Sequence, residues 1–289
     1  MLPTPSTSHV PFNNIYEPAE DSYLFLDTLS STGEVSWLSK RFNPPRSTLQ
    51  SHSSPPPLVV ETGIGSGVVL AFLAANSRAI FGREDIIALG TDVNSDACLA
   101  ASRTVNDAID ETRSTTIGGD GEGANLSPEE IASSSKPNET QFVASITADL
   151  CSPLRPGEVD VLVFNPPYVP TPELPNQPST DTQTGVGSGG YSTTSKFEQD
   201  SYFLSLSYAG GVDGMETTDR LLDRMPEILD PDRGVAYVLL CAQNKPKEVM
   251  ERIRAWGSGW SVEPVGRSGA QAGWEKLVII RIWKELPSP

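Results

Sequence analysis

Six short apolar runs, separated by stretches in which apolar residues recur every three or four positions, set the outline of this chain. The runs are Leu58 to Glu61, Ile86 to Thr91, Gln141 to Thr147, Val159 to Phe164, Gly234 to Cys241 and Lys276 to Trp283. Several of them barely alternate with polar positions, the pattern of strands buried on both faces of a sheet. Between them, Val68 to Ala75 reads as a helix. Ala97, Ala101, Val105 and Ala108 share one helical face, as do Leu221, Leu222, Met225, Ile228 and Leu229, and then Val249, Ile253 and Trp256. Pro246 fits the first turn of the last of these helices, and Pro18 can open another running through Tyr23, Leu24 and Leu26. Strands alternating with helices predict an α/β architecture, a doubly wound and mostly parallel sheet with helices on both faces. Stretches rich in Pro, Gly, Ser and Thr at 43–57, 113–139 and 171–200 read as flexible insertions in a single domain spanning 1–289.

Composition narrows the classes of function. A formal net charge of -16, from 21 Lys+Arg against 37 Asp+Glu, works against a protein whose affinity comes from neutralising a phosphate backbone, so nucleic acid is a disfavoured partner. Cys98, Cys151 and Cys241 are odd in number and set among apolar residues, which predicts buried free thiols. With His9 and His52 as the only histidines, no metal site is expected. No run approaches membrane-spanning length and the N-terminus shows no leader pattern, so no membrane association is expected and residence should be cytoplasmic, with nuclear residence in addition left open.

The first apolar run leads directly into Thr62-Gly63-Ile64-Gly65-Ser66-Gly67 and then into the Val68 helix: strand, tight glycine turn, helix. Glycines there let the backbone approach a ligand, and the helix N-terminus offers free N–H groups. The spacing is G-x-G-x-G rather than the G-x-G-x-x-G of dinucleotide sites, and Glu61 beside the turn would repel a pyrophosphate. It suits a cationic ligand carrying ribose hydroxyls and an amino acid moiety, which describes S-adenosyl-L-methionine. Asp92, at the end of the second run, can accept hydrogen bonds from both ribose hydroxyls, with Asn94 capping the next helix; the plainer reading is a turn residue. Asp149, after the third run, can take the adenine amino group or stand as a solvated turn carboxylate. The glycine clusters at 118–123 and 185–190 neither follow a strand nor open a helix and read as linkers.

Asn165-Pro166-Pro167-Tyr168 follows the fourth run, at the end of a strand where open α/β sheets place their sites. An amide nitrogen is a poor nucleophile because its lone pair is delocalised, so catalysis must orient it. The Asn165 side-chain carbonyl and the Pro166 backbone carbonyl can each accept one N–H of an NH2 group, with the prolines holding both rigid and Tyr168 offering a flat face for stacking. The competing reading is a proline-rich surface turn.

These motifs together resemble the eukaryotic and archaeal branch of the HemK-type glutamine methyltransferases. The resemblance rests on Tyr16-Glu17-Pro18-Ala19-Glu20-Asp21-Ser22, the Glu61 to Gly67 turn, Thr91-Asp92-Val93-Asn94, Ala148-Asp149-Leu150, Asn165 to Val169 and Tyr208-Ala209-Gly210-Gly211. There is no room before Tyr16 for the helical domain that bacterial relatives carry, which favours this branch. The resemblance implies a seven-stranded class I methyltransferase fold. It implies S-adenosyl-L-methionine as cofactor, held by Ser22, Glu61, Gly63, Gly65, Asp92, Asp149, Leu150 and Asn165, with Asn165, Pro166 and Tyr168 at the reacting amide. It further implies, as substrate, the glutamine of the Gly-Gly-Gln motif in class I translation termination factors. A small zinc-binding activator subunit is expected to form a heterodimer by docking at the sheet edge, the strand at 141–147, whose Phe142, Val143 and Ile146 lack a neighbouring charge; the insertion at 113–139 folding over that edge is the alternative. Other readings are an adenine-amino or other nucleic-acid methyltransferase, a protein lysine methyltransferase, or an inactive cofactor-binding scaffold. The long insertion after the tetrapeptide departs from the compact family pattern and bears on substrate access, and Thr62 stands where an apolar residue is expected.

Overall fold

The structure, a computed structural model, describes residues 2–43, 54–117, 139–176, 196–269 and 276–285. The chain runs α1 (Glu20–Leu29), α2 (Thr32–Phe42), β1 (Leu58–Thr62), α3 (Val68–Ala75), α4 (Ser77–Phe81), β2 (Ile87–Asp92), α5 (Ser95–Ile117), β3 (Gln141–Thr147) and β4 (Val161–Phe164). It continues through α6 (Lys196–Leu206), α7 (Glu216–Ile228), β5 (Val235–Cys241), α8 (Pro246–Arg254), β6 (Trp260–Arg267) and β7 (Leu277–Lys284). The strands form one seven-stranded sheet in the order β3-β2-β1-β4-β5-β7-β6. β1 to β5 pair in parallel, and β7 lies antiparallel between β5 and β6. This is the seven-stranded, mostly parallel, class I methyltransferase arrangement expected from the sequence.

Alternation along the central strands builds both layers. Val161 and Val163 of β4 face a core made with Phe25, Leu38, Phe72 and Val105 of α1, α2, α3 and α5. Their neighbours Leu162 and Phe164 face a second core made with Leu221, Leu222, Met225 and Ile228 of α7 and Val249 and Ile253 of α8. Every residue of β4 and β5 is buried, so both strands are apolar on both faces. A buried ionic cluster fastens α2 to the sheet: Arg281 Nη1 donates to both carboxylate oxygens of Glu34 at 2.8 Å, and the Tyr237 hydroxyl donates to Glu34 Oε2 at 2.7 Å. The guanidinium of Arg281 also lies 4.0 Å from the centre of the Trp37 ring.

Several expectations need correction. α5 continues to Ile117 and α6 begins at Lys196, so each enters a stretch read as loop; residues 44–53, 118–138 and 177–195 of the three insertions, with the glycine clusters and His52, lie outside the described residues. α2, α4, α6 and β6 had no counterpart among the predicted elements. The three cysteines are buried free thiols, as expected. Among the described residues no helix is long and apolar enough to cross a membrane, and no cluster of three His, Cys, Asp or Glu could hold a metal.

Candidate active site

The strand order reverses direction between β1 and β4, and a cavity of about 360 Å³ opens at the C-terminal ends of these strands, within the size range of small-molecule sites. Ser22, Glu61, Gly63, Gly65, Asp92, Asp149, Leu150, Asn165 and Pro166, nine residues singled out from sequence, all line it. Five different segments supply them, so the topology brings together what the chain keeps far apart.

The glycine turn supplies the floor. Gly63, Gly65 and Gly67 have φ of 65°, 51° and 78°, in the left-handed region that side chains disfavour. Gly67 also permits close helix packing, since a Cβ there would lie 2.8 Å from the Ala101 Cβ on α5. Asp92 ties the turn down: its Oδ2 accepts the Gly65 N–H at 2.9 Å and its Oδ1 accepts the Asn94 N–H at 2.8 Å. A carboxylate has about four lone-pair sites, so acceptor capacity remains toward the cavity for a ribose hydroxyl. Burial pushes the Asp92 carboxyl above the usual range, against the pull of those N–H groups.

Glu61 is buried at the end of β1, and its Oε2 accepts the Leu70 N–H at 2.8 Å. Burial raises its carboxyl to about 8, only partly offset by the Leu70 hydrogen bond, and the nearby Asp92 charge adds to the rise. A buried carboxyl poised this way gains most from a cation placed against it. Asp149 is half exposed and ion-paired with Arg220 of α7, which also lines the cavity. Leu150 has a φ of 50°, a left-handed conformation that is strained for a leucine and sits at the cavity wall.

Asn165 Oδ1 is buried and has no hydrogen-bond partner within the protein. A buried amide carbonyl left unpaired costs on the order of 1–3 kcal/mol, so this acceptor fits a ligand that brings its own N–H. Tyr168 is buried and is not among the residues that line the cavity; its hydroxyl lies 3.4 Å from Oδ2 of Asp21, which does line it. Sequence reading also passed over Asn14, Asp21, Arg220, Tyr202, Phe203 and Leu206, which line the cavity too. Asp21 lay inside a quoted motif but reads equally as a first-turn helix acid.

The cavity fits S-adenosylmethionine on these grounds: a buried carboxyl for the positive charge, a second for the ribose, left-handed glycines for close approach, and an unpaired amide acceptor beside them.

No family model matches the chain. Methyltransferase HEMK2 of Mus musculus is 29% identical over 292 residues, covering 98% of this chain and 97% of that protein. The eRF1 methyltransferase catalytic subunit mtq2 of Schizosaccharomyces pombe is 28% identical over 289 residues, covering 98% and 96%. Among solved structures, the E. cuniculi Mtq2–Trm112 complex responsible for methylation of the eRF1 translation termination factor aligns at 21% identity with a TM-score of 0.47, covering 94% of this chain and 99% of that one.

Proposed function

We propose that this chain, a homologue of the HEMK2 and Mtq2 methyltransferases, methylates the side-chain amide nitrogen of a protein glutamine, the glutamine of the Gly-Gly-Gln motif in a class I translation termination factor. The observation that carries the reading is the buried, unpaired carbonyl of Asn165 at the end of β4, in the wall of a cavity otherwise furnished for S-adenosylmethionine. When bound, the cofactor supplies an electrophilic methyl on a sulfonium. Glu61 answers its positive charge, Asp92 its ribose, and the segment Asp149-Leu150 its adenine. Asn165 and the Pro166 carbonyl accept the two N–H groups of the substrate amide and aim its nitrogen. Transfer would form the N–CH3 bond as the sulfonium S–CH3 bond breaks, leaving a neutral thioether and releasing one amide proton to solvent. As the nitrogen becomes more positive both oxygens would hold its N–H groups more strongly, which is differential stabilisation of the transition state.

The activator subunit belongs to the same reading. β3 is an edge strand, its Val143 is 60% exposed, and one relative is named as a catalytic subunit, which supports a small partner, of the zinc-binding class that the resemblance implies, adding to the sheet there.

The test is to co-express the chain with such a subunit and present labelled S-adenosylmethionine with intact termination factor, the same factor carrying Gly-Gly-Glu, and duplex DNA. Label is expected on the glutamine of the intact factor alone, located by mass spectrometry. Label on DNA, on a lysine or on the Gly-Gly-Glu factor would overturn the proposal.

A further inference from the structure

The Tyr208-Ala209-Gly210-Gly211 motif contributes Ala209 to the cavity wall, but its glycines do not line the cavity and are left without a role. Its structural surroundings give them one. After the tetrapeptide, Val169 pairs in parallel with Ala209: the Val169 N–H donates to the Tyr208 carbonyl at 3.0 Å, and the Gly210 N–H donates back to the Val169 carbonyl at 2.8 Å. Here the two backbones lie closer than side chains allow. A Cβ on Gly210 would stand 2.4 Å from the Pro167 carbonyl oxygen, and one on Gly214, whose φ is 68°, would stand 2.1 Å from the Tyr168 carbonyl oxygen.

Asn244 closes the arrangement from the end of β5. It is 1% exposed. Its Oδ1 accepts the Cys241 N–H at 2.7 Å, and its Nδ2 donates to the carbonyls of Tyr168 and Asp213 at 2.9 Å and approaches that of Gly214 at 3.3 Å. One side chain therefore ties the strand neighbouring β4 to the tetrapeptide and to the glycine segment wrapped around it. We propose that Gly210, Gly214 and Asn244 form a mould that fixes the backbone of Pro167 and Tyr168, and through it the direction of the Pro166 carbonyl and the Asn165 side chain. They are positioning residues and touch neither substrate nor cofactor. The inference rests on the proposed amide methylation for its catalytic consequence, while the mould itself is a property of the chain.

The experiment compares Gly210→Ala and Asn244→Ala with Gly234→Ala, whose Cβ would meet the Asp230 carbonyl oxygen at 2.5 Å at the opposite end of β5 and so serves as a steric control. Misplacement by about 1 Å costs roughly a hundredfold in rate, so the first two should lose about that much in kcat while cofactor Kd stays within about threefold. Gly234→Ala should lose thermal stability with kcat nearly unchanged. An equal fall in kcat for all three, or a preserved kcat in the first two, overturns the mould. Asn244→Asp provides an internal rescue: its neutral acid can donate to the Tyr168 carbonyl and its carboxylate cannot, so its kcat relative to wild type should rise as pH falls, and a flat ratio counts against the proposal. Hydrogen exchange at the Val169 and Gly210 amides reads the mould without any substrate. It should rise at least about tenfold in Asn244→Ala, and unchanged protection overturns the inference whichever methyl acceptor is correct, whereas absent glutamine methylation by wild type with altered exchange would indict only the substrate.

Discussion

Replacing Glu61 by Gln should stabilise the cofactor-free protein as pH rises and cripple cofactor binding at the same time. Gln keeps the shape of the side chain and an oxygen for the Leu70 N–H, which Glu61 holds at 2.8 Å, but removes the titration. The folded protein holds this carboxyl at about 8 against an ordinary 4.5, because burial opposes its charge. Between those values the folded state binds a proton that the unfolded state has lost, so stability falls as pH rises. At about 1.4 kcal/mol per pH unit, the loss accumulated by pH 9 is on the order of 5 kcal/mol as an upper bound. Urea unfolding of wild type and Glu61→Gln from pH 5 to 9 isolates the contribution, since Asp92 and the overall acidic charge remain in both proteins. The difference should grow steadily in favour of the variant. Calorimetry of S-adenosylmethionine binding should show wild type releasing close to one proton near pH 7, as a cation draws Glu61 into its charged form, and the variant binding about a hundredfold more weakly without that release. Parallel stability curves for the two proteins across this pH range would refute the reasoning.

Asn165→Ala should abolish methyl transfer while leaving cofactor Kd within about tenfold, measured by single-turnover assay and calorimetry, since it removes orientation of the amide. Val143→Lys, at an exposed position of β3, should change stability by less than about 0.5 kcal/mol in chemical unfolding yet prevent co-purification of the partner subunit. Arg281→Met should cost about 3–5 kcal/mol in urea unfolding by leaving the Glu34 carboxylate buried and uncompensated, and a second change, Glu34→Leu, should recover much of that loss.

The parts of the fold that sequence reveals are those where one physical effect dominates. β1, β2, β4, β5 and β7 are continuous apolar runs because both faces are covered, and each was placed to within about two residues, the uncertainty usual for element ends. β6 escaped because it is the other edge: only Val262 is buried in it, and Pro264 and Gly266, which flank a register shift, break any apolar run. α2 buries Glu34 beside Leu38 and Phe42, so an ion pair sits where the helical period asks for an apolar residue. α6 buries nothing and has no period to detect. At the site, motif residues on strand ends were legible because the glycine turn and the tetrapeptide impose their own backbone requirements. Arg220 and Asn244 were not, since each comes from a helix or turn far along the chain and is brought in by topology alone. The direction of the Tyr168 side chain is not legible in sequence, because a tyrosine beside a site looks the same whether its ring meets ligand or core.

The place of β3 in the strand order sets a geometry of assembly. β6 carries Pro264 and a register shift against β7, and β3 carries a register shift of its own against β2 at Val143 before pairing regularly from Ala144 to Thr147. Strand spacing is about 4.8 Å, and β2 and β1 stand between β3 and β4, so a strand added at that edge would lie roughly 19 Å from the one bearing Asn165. A subunit docked there can brace the ends of β2 and β3, the adenosine side of the cavity, but its added strand stands too far away to touch the nitrogen being methylated.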